Sequence, residues 1–194
     1  RFDRPQVAEE TLSPIPPSSR LYGPARSLMG QALFQRMLRY QEKNASAHAA
    51  DLAPRIAKYH QEALQHSLTE KESQISNYQA GYTLYQNNQF NEALPFWENY
   101  LESAEPSKET EDIRYRVATI HQSQQNWLQA EQRYGEYATS SLDLPEENKA
   151  QATFWWGEVA FQRAAEQLGA SLNGETLDSA FVKEIVPRYE KYLA

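Results

Sequence analysis

The sequence contains no cysteine. That absence excludes disulfides and thiol catalysis, and it removes the commonest ligand of structural zinc. It fits many compartments, the bacterial periplasm among them. Glycine is scarce, with seven in 194 residues, which argues against a nucleotide-binding α/β fold or a loop-rich β protein. No apolar run approaches the roughly 20 residues that span a bilayer, so no transmembrane segment is expected. GxSxG, P-loop and dinucleotide fingerprints are all missing. His48, His60, His66 and His121 form no HExxH arrangement. Glu109, Glu111 and Asp112 read as helix-start charges rather than an acid/base pair. The expectation is therefore no enzyme, no cofactor and no metal.

What is present suits a folded soluble protein, with 40% hydrophobic and 23% charged residues. The net charge of −7 is uneven. Residues 1–60 hold nine Lys/Arg against five Asp/Glu, and residues 61–194 hold ten against twenty-one. An acidic body repels phosphates and argues against nucleic acid as a partner. The chain starts at Arg1 with neither a methionine nor a signal segment. It reads as a mature form or as an excised piece of a longer protein.

Along the chain the punctuation is helical. Residues 1–24 carry "LSPIPPSSRLYGP", whose prolines predict an extended leader or linker. Residues 25–68 predict a pair of helices. The first, about 25–43, has a stripe of Leu28, Met29, Ala32, Leu33, Met37 and Tyr40, and the second covers about 50–68. Thr69 and Glu72 fit a capping box that opens a third helix. Breaks at "QNNQ", "EPS", "QSQQN" and "LDLPEEN" then mark off successive helices. Ser107 suits an N-cap, Pro145 a first turn and Gly169 a stop, with a last helix at 177–194. Nothing alternates like a strand. The fold class is all-α.

Three segments, "ALPFWENYL", "AEQRYGEYA" and "IVPRYEKYL", share an aromatic, two variable residues and a tyrosine. The pairs are Trp97/Tyr100, Tyr134/Tyr137 and Tyr189/Tyr192, and they form an internal repeat. Pro95 and Pro187 fall at one position of it. If the helix begins near Asn91, Pro95 costs a hydrogen bond or bends the axis; a later start removes the conflict.

Helix pairs recurring in tandem indicate an α-solenoid, and the pattern resembles the tetratricopeptide repeat (TPR) family. The residues that carry the resemblance are Ala80-Gly81, Leu84, Phe90, Ala93 and Trp97, followed by Val117-Ala118, His121, Trp127, Ala130 and Tyr134. A third unit keeps Trp156-Gly157. The small residue lets two helices cross tightly while the large ones fill the spaces beside it. The register is stretched: Gly81 to Ala118 is 37 residues and Ala118 to Gly157 is 39. The implied architecture is about three repeats (69–106, 107–144, 145–194) behind the N-terminal helical pair. Such stretched repeats look similar to those of bacterial extracytoplasmic proteins, which points to the bacterial envelope, with the cytoplasm as the other compartment open.

By resemblance, the first helices of the repeats line a superhelical groove. Its positions are Tyr78, Tyr82 and Tyr85, then Tyr115, Thr119 and Gln122, then Phe154, Glu158 and Phe161. The lysines and asparagines of the family's chaperone-tail clamps do not stand there. The implied function is a non-enzymatic protein–protein interaction scaffold that binds a peptide or partner protein on an aromatic-lined groove. Two alternatives stay open. The groove is filled by the chain's own N-terminal helices or a sister chain, as in a structural or oligomerisation module; or the chain is an accessory domain of a larger envelope protein or enzyme.

Overall fold

The computed structural model describes residues 5–171, together with Val186, Pro187 and Glu190. Among the described residues every regular element is an α-helix. They are α1 (Pro5–Leu12), α2 (Tyr22–Glu42), α3 (Ser46–Leu64), α4 (Glu70–Gln86), α5 (Phe90–Ser103), α6 (Lys108–Ser123), α7 (Trp127–Ala138) and α8 (Glu146–Ser171). The helix expected over 177–194 lies outside the described residues, except that Val186, Pro187 and Glu190 are helical.

The chain divides into two compact units, Arg1–Ala104 and Glu105–Ala194. In the first, α2 packs on α3, α3 on α4 and α4 on α5, while α1 lies on α2, and α2 also reaches α4. In the second, α6 packs on α7 and α7 on α8. Within each unit, neighbours in sequence are neighbours in space, which is the packing plan of an α-solenoid. The N-terminal pair shares a unit with the α4/α5 hairpin because their apolar faces form one core. Leu33, Phe34 and Met37 of α2 and Leu52 and Ile56 of α3 are buried together, with Tyr78 and Tyr82 of α4 packed against them.

Three hairpins turn in the same way. Asn44, Asn88 and Gln125 adopt left-handed backbone, with φ of 55°, 59° and 60°. In each case the next residue's N–H bonds a carbonyl five residues back: Ala45 to Tyr40, Gln89 to Leu84 and Asn126 to His121, at 2.8–2.9 Å. This 6→1 bond is the mark of a Schellman stop. A new helix starts immediately afterwards, at Ser46, Phe90 and Trp127. The polar runs "QNNQ" and "QSQQN" act as turns for this reason.

Small residues set the helix spacing. A β-carbon at Gly30 would lie 2.6 Å from His60 Nε2, and one at Gly81 would lie 2.3 Å from Trp97 Cδ1. One at Gly135 would lie 2.9 Å from Trp156. A ring on α3, α5 or α8 therefore sits in a notch on the helix before it. On α6, Ala118 is buried in a cluster with Ala130 and Tyr134 of α7.

The helix ends bear out two caps and correct three expectations. Thr69 Oγ1 accepts the Glu72 N–H at 3.3 Å, and the Glu72 carboxylate accepts the Thr69 N–H at 2.8 Å. Ser107 Oγ accepts the Thr110 N–H at 3.1 Å. The leader, however, is not extended throughout 1–24, since α1 occupies part of it. Pro5 stands in its first turn, where a missing N–H costs nothing, and the breaking prolines follow its end. Glu9 of α1 anchors the helix through Arg55 and through the Tyr59 hydroxyl, which donates at 2.9 Å. The second correction is that α8 runs past Gly169 to Ser171; glycine weakens a helix without ending it. The third is that Pro145 lies ahead of α8, its carbonyl accepting the first N–H bonds from Asn148 and Lys149. Pro95 does lie within α5, and Pro54 within α3. Neither can donate its helical bond.

Candidate functional site

The three tyrosines of α4 divide between two environments. Tyr82 meets Phe34 of α2 edge-on at 5.5 Å, and Tyr78 meets it at 6.4 Å. Tyr78 also stacks on Tyr82 at 6.1 Å and touches Tyr100 of α5 at 5.5 Å. Tyr85 turns into its own hairpin, against Phe90 at 5.1 Å and Trp97 at 4.9 Å. All three are half-buried. The spacing from 78 to 82 to 85 keeps them near one helix face, and α2 lies over the N-terminal two.

In the second unit, Tyr115 is held edge-on between Tyr134 at 5.4 Å and Tyr137 at 5.3 Å. Burial raises the Tyr115 pKa, the neighbouring Tyr137 adds to the rise, and a hydrogen bond with Trp155 opposes it. Gln122 is a polar partner of the core, its Oε1 accepting the Tyr134 hydroxyl at 2.7 Å. That hydroxyl also lies 3.2 Å from Thr119 Oγ1. Burial, foremost, pushes the Tyr134 pKa up to about 12. Phe154 packs edge-on against Trp155 at 5.2 Å. Glu158 accepts from Gln162 Nε2 at 3.1 Å, one turn along α8. Phe161 is 44% exposed. Of the eight residues expected to line a groove (Tyr78, Tyr82, Tyr85, Tyr115, Gln122, Phe154, Glu158 and Phe161), Phe161 alone is exposed; the others are half-buried.

The histidines divide by burial. His60 is fully buried; its Nε2 lies 3.1 Å from Gln79 Oε1, and burial pushes its pKa down to about 4. His121 is buried, at 7% exposure. Among the described residues no group of three His, Cys, Asp or Glu side chains could hold a metal ion. No helix among them is long and apolar enough to cross a membrane.

One concavity was not foreseen from the sequence. An open cleft of about 590 Å³ lies in the first unit, between the last turn of α3, the first half of α4 and α5 from Pro95 onward. Leu64, Pro95 and Phe96 give it an apolar wall. Its polar wall carries the amides of Gln61, Gln65 and Asn99 and the carboxylates of Glu70 and Glu102. Asn77, 5% exposed, is the one buried residue of the lining. The residues come from three successive helices and are spread over 61–103, so no single local motif marks them. Asn77 is the one available signal, a polar residue beside the small-residue positions of α4.

No protein-family model, curated protein or solved structure matches the chain.

Proposed function

We propose that the chain is a non-enzymatic protein-interaction scaffold of tetratricopeptide type, with its first unit capped by its own N-terminal helices. Phe34 of α2 seated on Tyr78 and Tyr82 supports the capping of the first unit, and the exposed ring of Phe161 is the observation behind a partner surface on the second. The recurring Schellman turns and the glycine notches support the repeat architecture. Self-covering in the first unit moves the partner surface to the second, around Phe161, Glu158 and Gln122. A ring with few rotamers to freeze is a good binding anchor, and Glu158 favours a neutral or basic segment over an acidic one. The bacterial periplasm is the compartment that the resemblance favours.

The test uses the full chain as bait against envelope and cytosolic extracts, with Phe161→Ser as the comparison. A discrete protein captured by the parent and lost in the variant, with helicity and melting unchanged, supports the reading. Equal capture by both refutes the placement at Phe161. Sedimentation velocity separates the second reading, an oligomerisation module: concentration-dependent association of the parent, abolished in Phe161→Ser, would make a sister chain the partner.

A further inference from the structure

Helix α1 sits on the first unit as a bound peptide would. Its inward positions are Pro5, Ala8, Glu9 and Leu12, at helical spacings of three and four. Gln6, Val7, Glu10 and Thr11 are exposed. The helix lies on α2. Among the described residues, its side-chain hydrogen bonds to the rest of the fold all run through Glu9. That carboxylate takes the Arg55 guanidinium and, at 2.9 Å, the Tyr59 hydroxyl, both from α3. The Glu9 side chain is 17% exposed, so the carboxylate is set into its site. Arg26 and Lys58 both pair with Glu62, which leaves Arg55 to Glu9. Charge is complementary over the wider surface as well. α1 carries Glu9 and Glu10 with no basic residue, whereas residues 22–64 hold six Lys/Arg against three Asp/Glu.

Little else holds α1 in place. Pro5 is its single buried residue. An isolated helix needs about 12–15 residues to be even marginal in water, so this short one is helical because it is docked. Residues 13–21 join it to α2 outside either helix and include Pro14, Pro16 and Pro17. α1 can therefore leave without unwinding α2, through a local opening that costs less than global unfolding.

We propose that α1 is a releasable strap over a docking site on α2 and α3, and that the site takes a short acidic amphipathic helix from another protein, whose carboxylate replaces Glu9 between Arg55 and Tyr59. The tether holds α1 over its own seat at an effective concentration on the order of millimolar. A competing helix must overcome that occupancy, so the strap sets a threshold for binding. The α1 of a sister chain is already held by its own seat in the same way, which favours a foreign helix as the occupant. The site lies on other helices than Phe161 and stands or falls apart from that surface.

The test uses the full chain and a fluorescein-labelled peptide of residues 5–13, read by anisotropy. A Glu9→Arg chain sets like charges against Arg55 and frees its own α1. The peptide should bind this chain at least about tenfold more tightly than the parent, whose site is occupied. A Glu9→Gln peptide should bind it at least about fivefold more weakly, through loss of the facing charge. Native-state hydrogen exchange of the parent should show the α1 amides opening well before those of α2 and α3. Equal affinity for the two chains, or equal affinity of the two peptides, overturns the proposal. So does α1 exchange only through global unfolding, or a Glu9→Arg chain that loses protection throughout α2–α5, since the strap is then part of the core. A concentration-dependent dimer of the parent, lost in Glu9→Arg, overturns the foreign partner and makes the seat an exchange interface between sister chains.

Discussion

Gly81 and Trp97 touch so closely that a β-carbon on the glycine would stand 2.3 Å from Trp97 Cδ1 and 2.5 Å from its Nε1. The indole is 1% exposed and belongs to the buried face of α5. It is rigid and enclosed, so it cannot swing aside as the tip of a flexible chain would.

Gly81→Ala therefore sets two effects against each other. Alanine favours the helix by about 1 kcal/mol over glycine. Forcing a methyl into a filled notch costs about 1–3 kcal/mol, and more where rigid groups meet. At 2.3 Å the clash falls at the upper end of that range and outweighs the helix gain, and a net loss of roughly 1–2 kcal/mol is expected. A denaturant midpoint equal to the parent's would show that Trp97 moves freely.

Gln125 should respond in the opposite direction. It ends α6 with a φ of 60°, where a non-glycine side chain crowds its own carbonyl. Asn44 and Asn88, its counterparts, are residues that tolerate this region. Gln125→Gly should stabilise the second unit by about 0.5–1 kcal/mol, relief of strain outweighing the greater unfolded-state entropy of glycine. Asn88→Gly should change stability by less. Thermal midpoints of the two variants decide it: a lower midpoint for Gln125→Gly would contradict the Schellman account.

These two residues also show what was legible beforehand. Gly81 was readable because a small residue beside Ala80, followed by Leu84, makes a local pattern. The caps at Thr69 and Ser107 were readable for the same reason, since cap and partner lie three residues apart. Gly30 was not picked out as a notch, because its partner His60 comes from a longer pair of helices and is not an aromatic of the repeat pattern. The covering of Tyr78 by Phe34 is a contact 44 residues apart in sequence. Periodicity shows which face of α4 is aromatic but not which helix lies over it. The α3–α4–α5 cleft was invisible on the same ground, being made by three helix faces whose residues look like ordinary solvated polar positions.

The link between α7 and α8 gives a third prediction. Arg163 Nε lies 2.6 Å from Glu131 Oε2, and the two side chains are 26% and 10% exposed. Removing the arginine takes an ionic partner from a largely buried carboxylate, which costs more than the pair itself contributes. Arg163→Met should lose about 1–3 kcal/mol, discounted from the fully buried case because the arginine is partly solvated. Adding Glu131→Gln should recover part of the loss, and a double-mutant cycle reads the coupling directly. Additive effects would mean that the pair contributes nothing specific.

His60 gives the acid limb of the stability curve. It is fully buried between α2 and α4, with Gly30 against its ring and Gln79 Oε1 accepting from Nε2. Burial lowers its pKa from 6.5 to about 4 in the folded chain, against a smaller opposing effect of the Gln79 hydrogen bond. A depressed folded pKa means that the unfolded chain takes up the proton first as pH falls. Between 6.5 and about 4 the unfolded state binds more protons, so stability drops with every step toward acid. Above 6.5 the contribution is complete, and below about 4 both states are protonated and no more is lost. The whole window is worth about 3 kcal/mol at 1.36 kcal/mol per pH unit. Carboxylates titrate in the same range, so the useful quantity is the difference between the parent and His60→Gln, which keeps a polar side chain but cannot take the proton. That difference should favour the parent increasingly from pH 4 to pH 6.5 and then level off. If it is flat across the window, His60 exchanges its proton as readily in the folded chain as in the unfolded one, and its burial in the first unit carries no acid sensitivity.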